Sequence, residues 1–159
     1  VNDFYVIGIH PSDLPQYSGG SPIQNQIIDG ISSSKCTLFK ISQDIDKGPI
    51  LGKTHLDLDG NIKDIFETIY NASIYLLEDF FSKFPNINEI SQNNKSIQNH
   101  KRLKPEDSNL SDKLINKTSC ENLYNLIRCR TEPYPNAFIK DETGILYFEN
   151  VRFIKNEQN

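Results

Sequence analysis

The sequence predicts an α/β fold, and three observations carry that prediction. An unbroken apolar run at residues 4–7 gives way to a loop rich in Pro, Ser and Gly, as a buried strand does. Residues 35–41 and 50–58 alternate apolar and polar side chains, as half-buried strands do. Segments with helical periodicity and their own capping residues separate and follow these runs.

Taken in order, residues 4–7 are expected to form an interior parallel strand with His10 just beyond its end. Such a strand needs neighbours on both sides. The chain holds no methionine and begins Val1-Asn2-Asp3, so it is expected to be the C-terminal part of a longer protein. Its open strand edge then makes a homodimer conceivable. Ser21-Pro22-Ile23-Gln24 reads as a helix start, with Ser at the cap, Pro at the first position and Gln at the third. Ile23, Ile27 and Ile28 share a face, and Gly30 ends the helix. In the second alternating strand Ile50, Thr54, Leu56 and Leu58 face one way. Residues 61–84 give the strongest helix, capped by Asn61 with Asp64. Its expected apolar stripe is Ile62, Ile65, Phe66, Ile69, Ile74, Leu77, Phe80 and Phe81.

Residues 85–117 are polar and are expected to form a meandering connection. A short helix follows, with Thr118 and Glu121 as its capping pair and Leu123, Leu126 and Ile127 inside. Residues 137–139 and 145–153 are expected to form a hairpin around Asp141-Glu142-Thr143-Gly144. The implied organisation is a core over residues 1–84, a connecting segment over 85–117 and a small helix-and-hairpin subdomain over 118–159.

The 159 residues suit one domain, and 36% hydrophobic with 24% charged content reads as globular. No apolar run is long enough to span a bilayer. No secretory pattern opens the sequence, so a cytoplasmic location is expected. A net charge of −4 argues against a large nucleic-acid footprint, which needs clustered Lys and Arg. Cys36, Cys120 and Cys129 lack metal-ligand spacing, so no metal is expected and they read as packing residues.

His10 follows an apolar run and precedes a sharply bending loop. A neutral imidazole there is the usual proton shuttle near neutral pH. Asp46, in the loop between the two alternating strands, would orient that ring and favour its protonated form. Alone, each is an ordinary strand-end histidine or turn aspartate; together they make an acid/base pair.

The blocks His10-Pro11-Ser12-Asp13-Leu14-Pro15, Ser21-Pro22-Ile23 and Asp44-Ile45-Asp46-Lys47-Gly48-Pro49-Ile50 resemble the formyltransferases that use 10-formyltetrahydrofolate. That family's pattern is an apolar strand, Asn-x-His-x-Ser-x-Leu-Pro, a Gly/Pro turn into a helix, then Asp-x-Gly. The resemblance continues through residues 100–108, similar to an Arg-x-x-Pro-x-Asp segment. It extends to Ile127-Arg128 followed by Pro133-Tyr134-Pro135-Asn136-Ala137-Phe138. It thus spans about residues 4–153.

The resemblance implies the C-terminal part of a Rossmann-like formyltransferase sheet, with an antiparallel hairpin. It implies a formyl transfer in which His10 and Asp46 are catalytic. Ser12, Leu14 and Pro15, with Ser42, Gln43, Asp44 and Ile45, would border 10-formyltetrahydrofolate. Arg102, Lys104 and Tyr134 would bind an acceptor amine, expected to be an amino-sugar nucleotide. The alternatives are a methionyl-tRNA formyltransferase and a non-catalytic folate- or nucleotide-binding relic. Two departures stand out. Gly8 replaces the family asparagine that donates to the oxyanion, and Tyr17-Ser18-Gly19-Gly20 lacks the arginine many relatives carry there.

Overall fold

A computed structural model describes residues 6–92, 100–115 and 118–156, with backbone alone at 114–115. Its centre is a three-stranded sheet of β1 (Ile7–His10), β2 (Ser33–Lys40) and β3 (Ile50–Asp57), in the order β1-β2-β3. Both pairings are antiparallel, with Ile9 opposite Leu38, His10 opposite Thr37 and Cys36 opposite Thr54.

The first strand therefore differs from expectation in position and direction. It begins at Ile7, not residue 4, and its partner β2 runs antiparallel. Phe4 and Tyr5 lie outside the described residues, and Val6 is 55% exposed. An apolar run signals burial but carries no information about a partner's direction. His10 is the strand's last residue, and it shares a face with Gly8 because side chains alternate along a strand.

Helix α1 (Pro22–Ile28) crosses from β1 to β2 and buries Ile23 and Ile27. Pro22 begins it and Gly30, at φ 78°, follows its end, as the sequence implies. Its cap differs: Ser21 sits at φ 50° and makes no capping bond, because its hydroxyl accepts from the Leu103 N–H at 3.0 Å.

Helix α2 (Ile62–Lys83) carries the expected capping box. The Asn61 side chain accepts from the Asp64 N–H at 3.1 Å, and Asp64 returns the bond to Asn61. Ile62, Ile65, Ala72, Leu76 and Phe80 are its buried side chains, packed with Leu38, Leu56 and Leu58. Ile74 and Phe81 of the expected stripe instead face solvent, at 40% and 67% exposure. Over 22 residues a stripe must stay in phase with 3.6 residues per turn, and Ala72 and Leu76 hold that phase better.

The connection is more structured than its composition suggests. Ile90 bonds to Ile50 in both directions, and a 3₁₀ turn (Pro105–Ser108) precedes α3 (Ser111–Ile115). Helix α4 (Cys120–Arg128) is capped by Ser119, one residue after the expected Thr118; its hydroxyl accepts from the Asn122 N–H at 3.1 Å. Leu126 and Ile127 bury against Leu110 and Ala137. A hairpin of β4 (Phe138–Lys140) and β5 (Ile145–Tyr147) turns on Asp141, whose carboxylate takes the Thr143 and Gly144 N–H groups. Its second strand stops at Tyr147, short of the expected residue 153.

Candidate active site

His10 and Asp46 approach as their pairing requires. The imidazole Nδ1 lies 3.6 Å from Asp46 Oδ2, an ion-pair distance just beyond a hydrogen bond. His10 is 6% exposed. Its other nitrogen, Nε2, is 2.9 Å from the Tyr17 carbonyl. A ring protonated at Nε2 donates to Tyr17 and turns a lone pair toward the Asp46 carboxylate. One more proton, at Nδ1, would give both nitrogens an acceptor.

Asp46 is fixed from several sides. Its Oδ2 accepts from the Gly19 N–H at 2.8 Å, and its carbonyl accepts from Gln92 Nε2 at 2.8 Å. Gln92 also donates to the Gly48 carbonyl at 2.7 Å. The residue sits at φ 56°, a conformation Asp tolerates better than most. Gly48 makes the turn possible, since a Cβ there would fall 1.6 Å from the Lys40 carbonyl.

The same loop joins the pair to a second feature. Gly19 and Gly20 lie against the backbone of 100–102, where added Cβ atoms would fall 2.6 Å from His100 O and 2.3 Å from Arg102 N. His100 donates to Ser18 O, Gly20 donates to His100 O, and the His100 ring stacks on Tyr17 at 4.8 Å. Beyond this seam lies a cavity of about 600 Å³ whose walls include Arg102, Lys104, Arg130, Tyr134 and Gln24. The three residues expected to meet an acceptor thus share one space. Burial pushes the Tyr134 phenol up, partly offset by Arg102.

The residues expected to border folate divide. Ser12 and Leu14 are fully buried. The Ser12 hydroxyl donates to Gln16 O at 2.7 Å, and Leu14 packs with Phe39 and Ile50, so both side chains face inward. Pro15 is half-buried beside them. Ser42, Gln43, Asp44 and Ile45 are exposed on the loop leading to Asp46, with Ile45 at 73% exposure. Asp13 is clamped by Lys53, which also donates to Leu14 O, and pairs with Lys35 at 3.2 Å. Burial pushes its carboxyl up, but the two ammonium groups outweigh burial and leave it below the usual range.

Sequence reasoning missed Gln92 and Arg130. Nothing marks Gln92 within a polar segment. Arg130 had a signal, a second arginine two residues past Arg128 and just beyond the end of an amphipathic helix. Among the described residues no cluster of His, Cys, Asp or Glu is placed to hold a metal, and no helix is long and apolar enough to cross a membrane.

The profile of the family described as Formyl transferase matches residues 3–74. The bifunctional polymyxin resistance protein ArnA of Wigglesworthia glossinidia brevipalpis is 32% identical over 153 residues, which are 91% of this chain and 22% of that protein. Curated methionyl-tRNA formyltransferases also match, this chain spanning less than half of each. Among solved structures, a methionyl-tRNA formyltransferase from Clostridium thermocellum is similar at a TM-score of 0.80 and 31% identity, over 98% of this chain and 66% of that one. An N-formyltransferase from Helicobacter canadensis, in complex with folinic acid and dTDP-3-aminofucose, shares the fold at 0.67 and 22% identity, over 78% of this chain and 46% of that one. With the matched segment holding both His10 and Asp46, and the likeness running on through the cavity, this chain belongs to the formyltransferase family.

Proposed function

We propose that the protein containing this chain transfers a formyl group from 10-formyltetrahydrofolate to a primary amine on a sugar nucleotide. The observation that carries the choice of acceptor is the cavity of about 600 Å³ holding Arg102, Lys104 and Tyr134. Its size suits a nucleotide-linked sugar. Its cations suit a diphosphate and its tyrosine a base or sugar face. The loop 17–21 lines it on one side and bonds to His10 and Asp46 on the other.

The folate co-substrate supplies the formyl carbon. Exposed Ser42 and Gln43 offer polar contacts to it, and Ile45 offers an apolar surface one residue from Asp46. His10 takes the proton that the acceptor amine sheds, at Nδ1. The resulting imidazolium lies beside Asp46, and its positive charge favours the oxyanion formed at the formyl carbon. As that intermediate collapses, the bond from the formyl carbon to the folate nitrogen breaks, that nitrogen takes the proton from the imidazolium, and tetrahydrofolate leaves. Asp46 orients the ring, while Gly19 and Gln92 hold Asp46. Gly8 supplies no side-chain donor.

A second reading, transfer to aminoacyl-tRNA, is favoured by the likeness to the Clostridium enzyme. The test is tetrahydrofolate release by the full-length protein with a panel of amino-sugar nucleotides and with charged initiator tRNA. Turnover on a sugar nucleotide supports the proposal, and turnover on tRNA alone replaces it. Folate binding with no turnover on either leaves a non-catalytic binding protein.

A further inference from the structure

Arg130 is a buried cation without a counterion. It is 5% exposed. One guanidinium nitrogen donates to Leu126 O at 2.7 Å and lies 3.4 Å from Cys129 Sγ. Among the described residues no carboxylate pairs with it. Arginine carries five N–H donors. Among the described residues only one of the Arg130 nitrogens has a protein acceptor, and none is sealed from solvent without one. Neighbouring Arg128 shows what a structural arginine looks like here. It donates to Asn125 Oδ1, Leu58 O and Gly60 O, tying α4 to the end of β3.

Burying an unpaired charge is unfavourable, so such residues normally sit against a carboxylate. Arg130 sits instead on the wall of the cavity that holds Arg102 and Lys104. Those two are exposed, whereas Arg130 is buried and held in place by Leu126 O. A planar, pre-oriented guanidinium with unused donors matches the oxygens of a phosphoryl group.

We infer that Arg130 is the fixed anchor for the phosphoryl oxygens of the ligand that enters this cavity. Arg102 and Lys104 close on the same anion from the solvent side. The inference rests on the sugar-nucleotide reading of the cavity, and it adds the residue that would recognise the diphosphate.

The test is calorimetric titration of the full-length protein with dTDP, UDP, inorganic pyrophosphate and the free nucleosides. Diphosphate binding should weaken about 10- to 100-fold in Arg130→Met, the scale of one lost charge-assisted contact. Arg130→Lys should fall between that variant and the parent. Nucleoside binding should not change in either. Thermal unfolding without ligand separates anchor from scaffold. Arg130→Met should hold or gain stability, because it removes an unpaired buried charge, while Arg128→Met should lose stability.

Diphosphate binding unchanged in Arg130→Met overturns the inference, as does a parent that binds no diphosphate. Loss of ligand-free stability in both Arg130 variants also overturns it, making the residue structural. Failure of the sugar-nucleotide reading looks different. Diphosphates would then bind through Arg130 while no amino-sugar nucleotide is formylated. Pyrophosphate binding as tightly as dTDP would show that the anchor reads phosphate alone, with the nucleoside chosen elsewhere.

Discussion

His10 and Asp46 are held by protein partners, whereas in the neighbouring cavity three cations have no carboxylate among the described residues. His10 touches Tyr17 O and Asp46, and Asp46 in turn holds the Gly19 N–H and is held by Gln92. Arg102, Lys104 and Arg130 form no ion pair among the described residues. The difference separates two kinds of work. Reactive groups must be fixed before substrate arrives, because reorganising them during reaction raises the barrier. Binding groups can leave their charges unmatched until a ligand of opposite sign completes them. The loop 17–21 serves both, bonding to Asp46 on one side and to residues 100–103 on the other.

The comparison breaks most readily at His10. His10→Ala should lower turnover by about 10²- to 10⁴-fold, the usual weight of a positioned acid/base group. The acceptor KM should change little, because the cavity cations stay in place. Steady-state kinetics on the full-length protein check this. A large rise in KM with unchanged kcat would move His10 from chemistry to binding. Asp46→Asn should cost less, about 10- to 100-fold, the scale of one charge-assisted contact. The substitution is clean, since Asn also tolerates φ 56° and its carbonyl oxygen can keep the Gly19 bond. An unchanged kcat would leave Asp46 as a loop brace.

The two regions were not equally legible in the sequence. His10 and Asp46 could be found because a strand end and an Asp-x-Gly turn are local patterns. The cavity's polar side chains come from separate parts of the chain, and only tertiary packing unites them. Arg102, Lys104 and Tyr134 were reachable through family resemblance. Arg130 had only the second arginine after α4 as a sign, because its burial without a carboxylate is a property of the fold. The inward turn of Ser12 and Leu14 was hidden for a related reason. A His-x-Ser-x-Leu motif fixes spacing along the chain, but Thr37 and Phe39 on the next strand turn both residues inward. The direction of β1 was missed because hydrophobic pattern does not encode it, and the capping of α1 because Leu103, distant in sequence, takes the Ser21 hydroxyl.

Gly8 sharpens the comparison from the other direction, since it shares a strand face with His10 and brings no side-chain donor. A Cβ at Gly8 would lie 3.1 and 3.2 Å from the Phe39 ring and 3.4 Å from Ile41. The ring therefore crowds the space an asparagine would need. Gly8→Asn alone should lower stability by about 1–3 kcal/mol through overpacking, read as a shift in the urea midpoint. Combining it with Phe39→Leu should relieve the crowding. Turnover should then exceed that of Phe39→Leu alone, as a restored oxyanion donor predicts. Equal turnover would mean that the site already has its donor.

Gln92 should matter less, because it acts on Asp46 only through backbone. Gln92→Leu removes two donors and leaves the Asp46 and Gly48 carbonyls with fewer bonds. The expected loss is about 1–3 kcal/mol of stability, with turnover down only several-fold. Gln92→Glu should be worse at neutral pH, because a carboxylate would then face two carbonyl oxygens. If Gln92→Glu proved equal to the parent in both kinetics and denaturation, the brace would be unimportant.

Tyr17 gives the smallest effect and the most direct link between the two regions. Its carbonyl meets His10, its ring stacks on His100, and its hydroxyl donates to Asp29 Oδ2 at 2.9 Å. Burial first, then the Asp29 carboxylate, pushes the phenol up to about 12. The folded protein therefore prefers the neutral phenol. That preference contributes its full stability below the ordinary tyrosine value of about 10, and the contribution is lost as pH rises from there through the folded value. Tyr17→Phe keeps the carbonyl and the stacking but removes this bond. Turnover at neutral pH should hold, and stability should fall by about 0.5–1.5 kcal/mol. The parent's extra loss of stability between pH 10 and 12 should vanish in the variant, because no phenol remains to ionise there. An ultraviolet titration in which Tyr17→Phe removes a phenolate step near pH 10 would show that the hydroxyl is solvated in solution. The loop would then depend on its backbone bonds alone.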